Sequence, residues 1–373
     1  MFKRRRPSVW FASIICIMLI APAVAEDAGV HISRTRPETV YLERRGDHVR
    51  LNFDIELANP SARDAVVNYI ELKAFDAEGR ILTRRQMGGN GLPGPIEMLP
   101  SRIIPAGGEL YLFNPFPDLS VDGVITRVTL DIFHDAGRVR AEVTPAPVPG
   151  PTLARPPLDG AAFVYSGNDL LAHHRRVALN SEPAKALGME RVTQRFALDF
   201  TMLDPATGDL YSASPADLAR YPAFGAALSA PVDGEVVAVR ADMPDNTLNA
   251  NGAAVKPARY ASFGDDASLG NYIVIRAGEA FIVMSHFAEG SIRVAVGDRV
   301  RAGDPIGRLG FSGDTAYPHL HVQMQDGPDA LSARPLPIVF DCVRLGQEGG
   351  VKAKGAAVDS GDFVRPCETK KAQ

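Results

Sequence analysis

The sharpest chemical signal in the chain is Pro318-His319-Leu320-His321, continued by Val322-Gln323-Met324. On a strand, residues i and i+2 point to one face, so His319 and His321 project into one space. Two imidazoles placed in this way make a metal platform, or one ligand beside a proton-transfer group. Two solvated strand histidines would have the same spacing, and the pair by itself does not separate these readings.

The elements that must position the pair read as strands. Segments 235–240, 272–276, 280–286 and 292–296 are β-branched or alternating. Gly234, Gly270, Gly278, Gly290, Gly297, Gly303, Gly307, Gly310 and Gly313 punctuate them at the spacing of tightly turning antiparallel strands. Residues 242–266 read as a long loop inserted between two strands, where it would form a groove wall; loops of that length are often functional.

The order of motifs here is informative. Ala230-Pro231-Val232-Asp233-Gly234-Glu235-Val236-Val237 is followed by Gly270-Asn271-Tyr272 and Met284-Ser285-His286-Phe287. Val296-Gly297-Asp298, Ala302-Gly303-Asp304-Pro305-Ile306-Gly307 and Ser312-Gly313-Asp314 lead to the histidine pair. Over about residues 170–335 this series resembles the catalytic core of the lysostaphin/LytM-type zinc metallopeptidases, which cut peptide cross-links in bacterial peptidoglycan.

The resemblance implies a role for each matching residue. His321 matches a zinc ligand, His319 the general acid/base beside it, and His286 a further active-site histidine that binds and polarises water or the oxyanion. Asp199, in Arg195-Phe196-Ala197-Leu198-Asp199, matches the ligand aspartate of an H-x-G-x-D pattern. Zinc is the implied cofactor and peptidoglycan peptides the implied partner. In the implied mechanism zinc lowers the pKa of its water to about 7 and polarises the scissile carbonyl. His319 would take the water proton and deliver it to the leaving amine. An oxyanion donor such as His286 is typically worth roughly 3–4 kcal/mol.

The chain departs from the family pattern where a first zinc-ligand histidine is expected. Arg195 stands there, with Ala197 in place of glycine. Arginine cannot ligate zinc, and beside Asp199 it could pair with the carboxylate. Asp199 and His321 then supply two of the three protein ligands a catalytic zinc normally has. His174, of the His173-His174-Arg175-Arg176 segment, could fold back as the third. Alternatively, Arg195 points away and Gln194 or a water fills the position. The remaining reading is a catalytically inactive peptidoglycan-binding or hydrolase-activating module, whose partners would include other cell-wall proteins. A biotinyl or lipoyl carrier, which the 296–307 stretch also resembles, needs a lysine, and residues 259–345 contain none.

Outside this region the chain indicates compartment and organisation. Lys plus Arg is 40 against 44 Asp plus Glu; without the four cations at 3–6 the balance is 36 against 44. So acidic a body argues against sequence-independent nucleic-acid binding. Residues 1–25 read as a signal peptide: the cations at 3–6, an apolar run over 9–20 and Ala23-Val24-Ala25. After cleavage no transmembrane segment is expected, and export to the periplasm follows, with secretion open. Cleavage removes Cys16 and leaves Cys342 and Cys367, an even pair that reads as one disulfide stapling a Gly-rich tail, 346–373; two free thiols are the other arrangement.

The fold class is mainly β. Leu51, Phe53, Ile55 and Leu57 alternate with Asn52, Asp54 and Glu56, and residues 26–143 suggest an immunoglobulin-like β-sandwich that would position the second domain or shield its groove. Six prolines between 145 and 157 mark 144–158 as an extended linker rather than a packed element. Residues 159–345 are the peptidase-like antiparallel β domain.

Overall fold

The computed structural model describes residues 29–45, 48–170, 172–186, 188–347 and 350–367. The signal segment 1–25 lies outside them. The described residues are nearly all β, in antiparallel sheets around two hydrophobic cores.

The first core spans 40–143. Ala65–Phe75 pairs with Arg127–His134 on one side and Ile81–Gly88 on the other. Asp54–Asn59 lies between His31–Arg36 and Gly108–Phe113. Leu51, Phe53, Ile55 and Leu57 are fully buried on the inward face, each worth about 1.5–3 kcal/mol relative to exposure. Their polar alternates Asn52, Asp54 and Glu56 are buried as well. Period-two alternation implies one wet face; here that face meets other parts of the chain. Arg36 donates to Glu56, and Arg195 of the second domain donates to both Asn52 and Asp54.

The proline-rich segment is packed between the two cores. Ala146–Pro147 pairs with Tyr41–Arg45, Leu153 N–H donates to Val339, and Leu153 and Leu158 belong to the second core. Proline removes donors but leaves carbonyls and rings to pack, so its density did not keep this segment out of the structure.

The second domain is built on a large sheet. Its central order is Gly234–Arg240, Asn271–Ala277, Ala280–Phe287, Leu320–Gln325, Leu198–Thr201 and Ala162–Ser166. It continues through Phe363–Pro366, Phe340–Leu345 and Val351–Ala356, so residues beyond 345 are not a tail. Gly346 and Gly361 lie in turns between strands, and the described part of 346–373 completes the sheet. The Cys342–Cys367 disulfide ties neighbouring strands there. Residues 242–266 brace the segment leading to the histidine pair. Asp245 accepts from Phe311 N–H, Asn246 donates to Gly313, and Lys256 pairs with Asp314. The nearest cleft-lining residues are Ser268 and Leu269, just beyond this insertion.

Candidate metal centre

Strand register brings the site together. Asp199 on Leu198–Thr201 stands directly opposite His321 on Leu320–Gln325, so both side chains share a face. His321 Nδ1 lies 3.1 Å from Asp199 Oδ1, and His174 Nε2 lies 3.0 Å from Oδ2. His319 Nε2 is 3.6 Å from Oδ1 and His173 Nε2 3.8 Å from Oδ2. His173 and His174 arrive on a single 3-10 turn, His173–Arg175. Asp199, His174, His286, His319 and His321 are all buried, while His173 is exposed. They line a cleft of about 510 Å³ whose walls include Tyr165 and Tyr317.

His286 reaches this cleft through a backbone irregularity. Tyr272 pairs with Ser285 and Asn271 with Phe287, which leaves His286 as the extra residue of a β-bulge. Its φ of 70° is left-handed, a conformation that costs a non-glycine residue on the order of 1–3 kcal/mol. Two glycines permit the neighbouring backbone to close on it. A Cβ on Gly310 would sit 2.1 Å from Ala288 N, and one on Gly270 would sit 2.4 Å from Ser312 O. Gly310 N–H donates to His286 O, and His286 Nδ1–H donates to Ser312 O at 2.8 Å.

Hydrogen bonds also determine which ring nitrogens are bare. The Gln323 side-chain nitrogen donates to Gln325 Oε1 at 2.6 Å and Ala330 O at 3.2 Å. Its oxygen therefore faces His321 and accepts from Nε2–H at 2.9 Å. With Nε2–H engaged in this way, a ring holding a single proton would turn its Nδ1 lone pair toward the Asp199 carboxylate. Two electron pairs in contact call for a proton or a cation between them. Metal-binding histidines usually have their other nitrogen anchored in this manner. His319 Nδ1 lies 3.0 Å from Tyr317 O, to which it donates, and 2.9 Å from Thr315 Oγ1. Its Nε2 lone pair is thereby turned to the same space.

The electrostatics agree with a cation-binding site. Burial opposes the Asp199 charge, yet the surrounding histidines, His174 and His319 foremost, hold its carboxyl well below the usual range. Burial, followed by repulsion from the neighbouring imidazoles, keeps His286 well below the ordinary histidine value. His319 is also lowered, mainly by burial. His173 is pushed down to about 4 by burial and by His174. Burial thus favours the neutral form of His173, His286 and His319, and neutral imidazole is the form that ligates.

Arg195 does not enter this space. Its guanidinium leaves the domain for Asp54 and Asn52, while the adjacent Gln194 lines the cleft. Asp199, His174, His321, His286 and His319 are brought together, and His173, His174 and Asp199 can each offer a ligand atom within 4.8 Å of the others. These donors, with His321 Nδ1 3.1 Å from the same carboxylate and no competing guanidinium, fit a zinc-type ion. Gln323 and Gln325 were not singled out from the sequence. The signal was present, because they continue the period-two series after His319 and His321 on the same buried face.

Residues 221–333 match the sequence model of peptidase family M23. This stretch carries the sequence pattern of peptidase family M23. His286, His319 and His321 lie inside the match; His174, Arg195 and Asp199 precede it. The resemblance to lysostaphin/LytM-type peptidases therefore holds over the module. Among solved structures, the chain is similar to the catalytic domain of the prophage-encoded M23 protein EnpA from Enterococcus faecalis. That alignment has 17% identity, covers 38% of this chain and 74% of that one, and has a TM-score of 0.24. The lysostaphin catalytic domain from Staphylococcus simulans gives 20%, 38%, 74% and 0.23. The structure described as LytU gives 22%, 38%, 68% and 0.23. No curated protein matches the chain. No helix among the described residues is long and apolar enough to cross a membrane.

Proposed function

We propose that the M23 module is an active zinc metalloendopeptidase that cuts peptide cross-links of cell-wall peptidoglycan. Asp199, His321 and His174 would hold the ion, with His174 taking the place of the histidine missing at 195. The observation that carries this reading is the 3.1 Å approach of His321 Nδ1 to Asp199 Oδ1, with the opposite ring nitrogen held by Gln323. A zinc ion held there supplies Lewis acidity and a bound water of pKa about 7.

The chain's own groups perform the proton transfers. His319, anchored at Nδ1, presents Nε2 as the base that receives the water proton and returns it to the leaving amine. His286 is likewise anchored at Nδ1 and presents Nε2 to the cleft. In its neutral form that nitrogen accepts, so it orients water; donation to an oxyanion requires it first to be protonated. The aromatic walls formed by Tyr165 and Tyr317, whose rings are 4.6 Å apart, would seat an extended peptide and exclude water beside it.

The signal-like segment at 1–25 supports export, with the periplasm as the proposed site of action. Two measurements test the whole reading: zinc per chain by elemental analysis, and release of new amino groups from purified peptidoglycan, each beside a His321→Ala control. About one zinc and measurable cleavage in the wild type, both lost in the control, are expected. No zinc in either protein after zinc is added would leave a binding or hydrolase-activating module.

A further inference from the structure

Arg195 stands where a ligand is missing, yet it is almost completely buried and fully committed elsewhere. Its Nη2 donates to Asp54 Oδ2 at 2.5 Å and its Nη1 to Asn52 Oδ1 at 3.0 Å. Tyr111 adds a hydroxyl donor to the same Asp54 oxygen at 2.9 Å. All three partners belong to the N-terminal domain. A guanidinium is permanently charged and favours two-point pairing with a carboxylate. Two buried carboxylates can compete for it. Asp54 has it; Asp199, four residues along the chain, does not. A guanidinium on Asp199 would occupy the oxygens that His174 and His321 now approach.

We propose that Asp54, helped by Asn52, is a positioning residue for the metal centre: by keeping Arg195 in the N-terminal domain it reserves Asp199 for a divalent zinc-type cation. This rests on the metal reading above and adds that the first domain is part of the apparatus that makes the site usable. Through Arg195 the segment that carries Asp199 is tied to an acidic residue of the other domain. Docking of the domains and binding of the ion are then reciprocally coupled.

The test is zinc affinity of the full chain, measured by competition with a chromophoric chelator. The proteins are wild type, Asp54→Asn, Arg195→Met and the Asp54→Asn/Arg195→Met double variant. Asp54→Asn should weaken zinc binding by about tenfold or more, within the usual span of coupling effects. The double variant should return to near the wild-type value, since no guanidinium remains to intrude. Rescue separates this role from simple loss of domain contact, because the double variant lacks the contact too. Should Asp54→Asn fail to fold, Asn52→Leu weakens the same hold; its smaller loss of affinity should vanish in the Arg195→Met background. Wild-type affinity in Asp54→Asn, or a double variant no better than Asp54→Asn, would overturn the proposal while the metal reading stands. A wild type that binds no zinc would overturn both.

Discussion

The two sides of the cleft are built by different means. On one side, His286, His319 and His321 lie within the M23 match and are positioned by neighbouring strands and a bulge of one sheet. On the other, His174 and Asp199 precede the match, and Arg195, four residues before Asp199, pairs with Asp54 of a different domain. The first side would keep its geometry in any context that preserves strand register. The second depends on buried charge between domains. The groups proposed for proton transfer are thus placed by one sheet, whereas Asp199, proposed as a ligand, lies four residues from an arginine committed to another domain.

The comparison is broken most severely by removing a group from the register-built side. His321→Ala should abolish zinc binding and hydrolysis together. His319→Ala should lower kcat by about 10²–10⁴-fold while zinc is retained, as loss of a general base does. Elemental analysis beside turnover on purified peptidoglycan distinguishes the two.

The inter-domain side should respond in stability as well as function. Arg195→Ala leaves Asp54 buried without its cation, which should cost about 3–5 kcal/mol in denaturant unfolding. The Arg195→Met/Asp54→Leu double variant should recover most of that loss.

A pH-dependent effect of about 3 kcal/mol should come from Glu43, at the same boundary. Burial raises its pKa from 4.5 to about 7, against the opposing pull of Arg50 and Arg175. The folded chain therefore holds a proton that the unfolded chain releases, and stability should fall as pH rises from about 4.5 through about 7. Glu43→Gln should flatten this slope in chemical denaturation series between pH 5 and 8. An unchanged slope would show that Glu43 is ionised and matched in the folded state.

The mildest intervention sharpens the comparison. Gln323→Leu removes the group that anchors His321 Nε2–H without touching the inter-domain contacts. Zinc affinity or activity should fall by about 10–100-fold, with no change in the Glu43-linked slope.

Much of the register-built side was legible because its information is local. The H-x-H spacing implies a shared strand face, and strand pairing preserves that face. His286 was recognisable only from its motif, since its approach depends on a bulge and on glycines that admit another backbone. His174 was one of several candidates for the missing ligand. Nothing local distinguishes a histidine that folds back to Asp199 from one in a polar loop. The proline-rich segment and the residues beyond 345 were misjudged for one reason: composition reports turn and donor chemistry, not whether a sheet edge is available.

By itself the sequence determined the β class and the shared strand face of His319 and His321, because period-two alternation is a local property of the chain. The direction of Arg195 was decided only by the tertiary structure. Asn52, Asp54 and Glu56 alternate as a solvent-facing row would, and only packing makes that row a buried, charged boundary. A guanidinium goes to the carboxylate that the fold brings within reach, and here that carboxylate lies in the other domain.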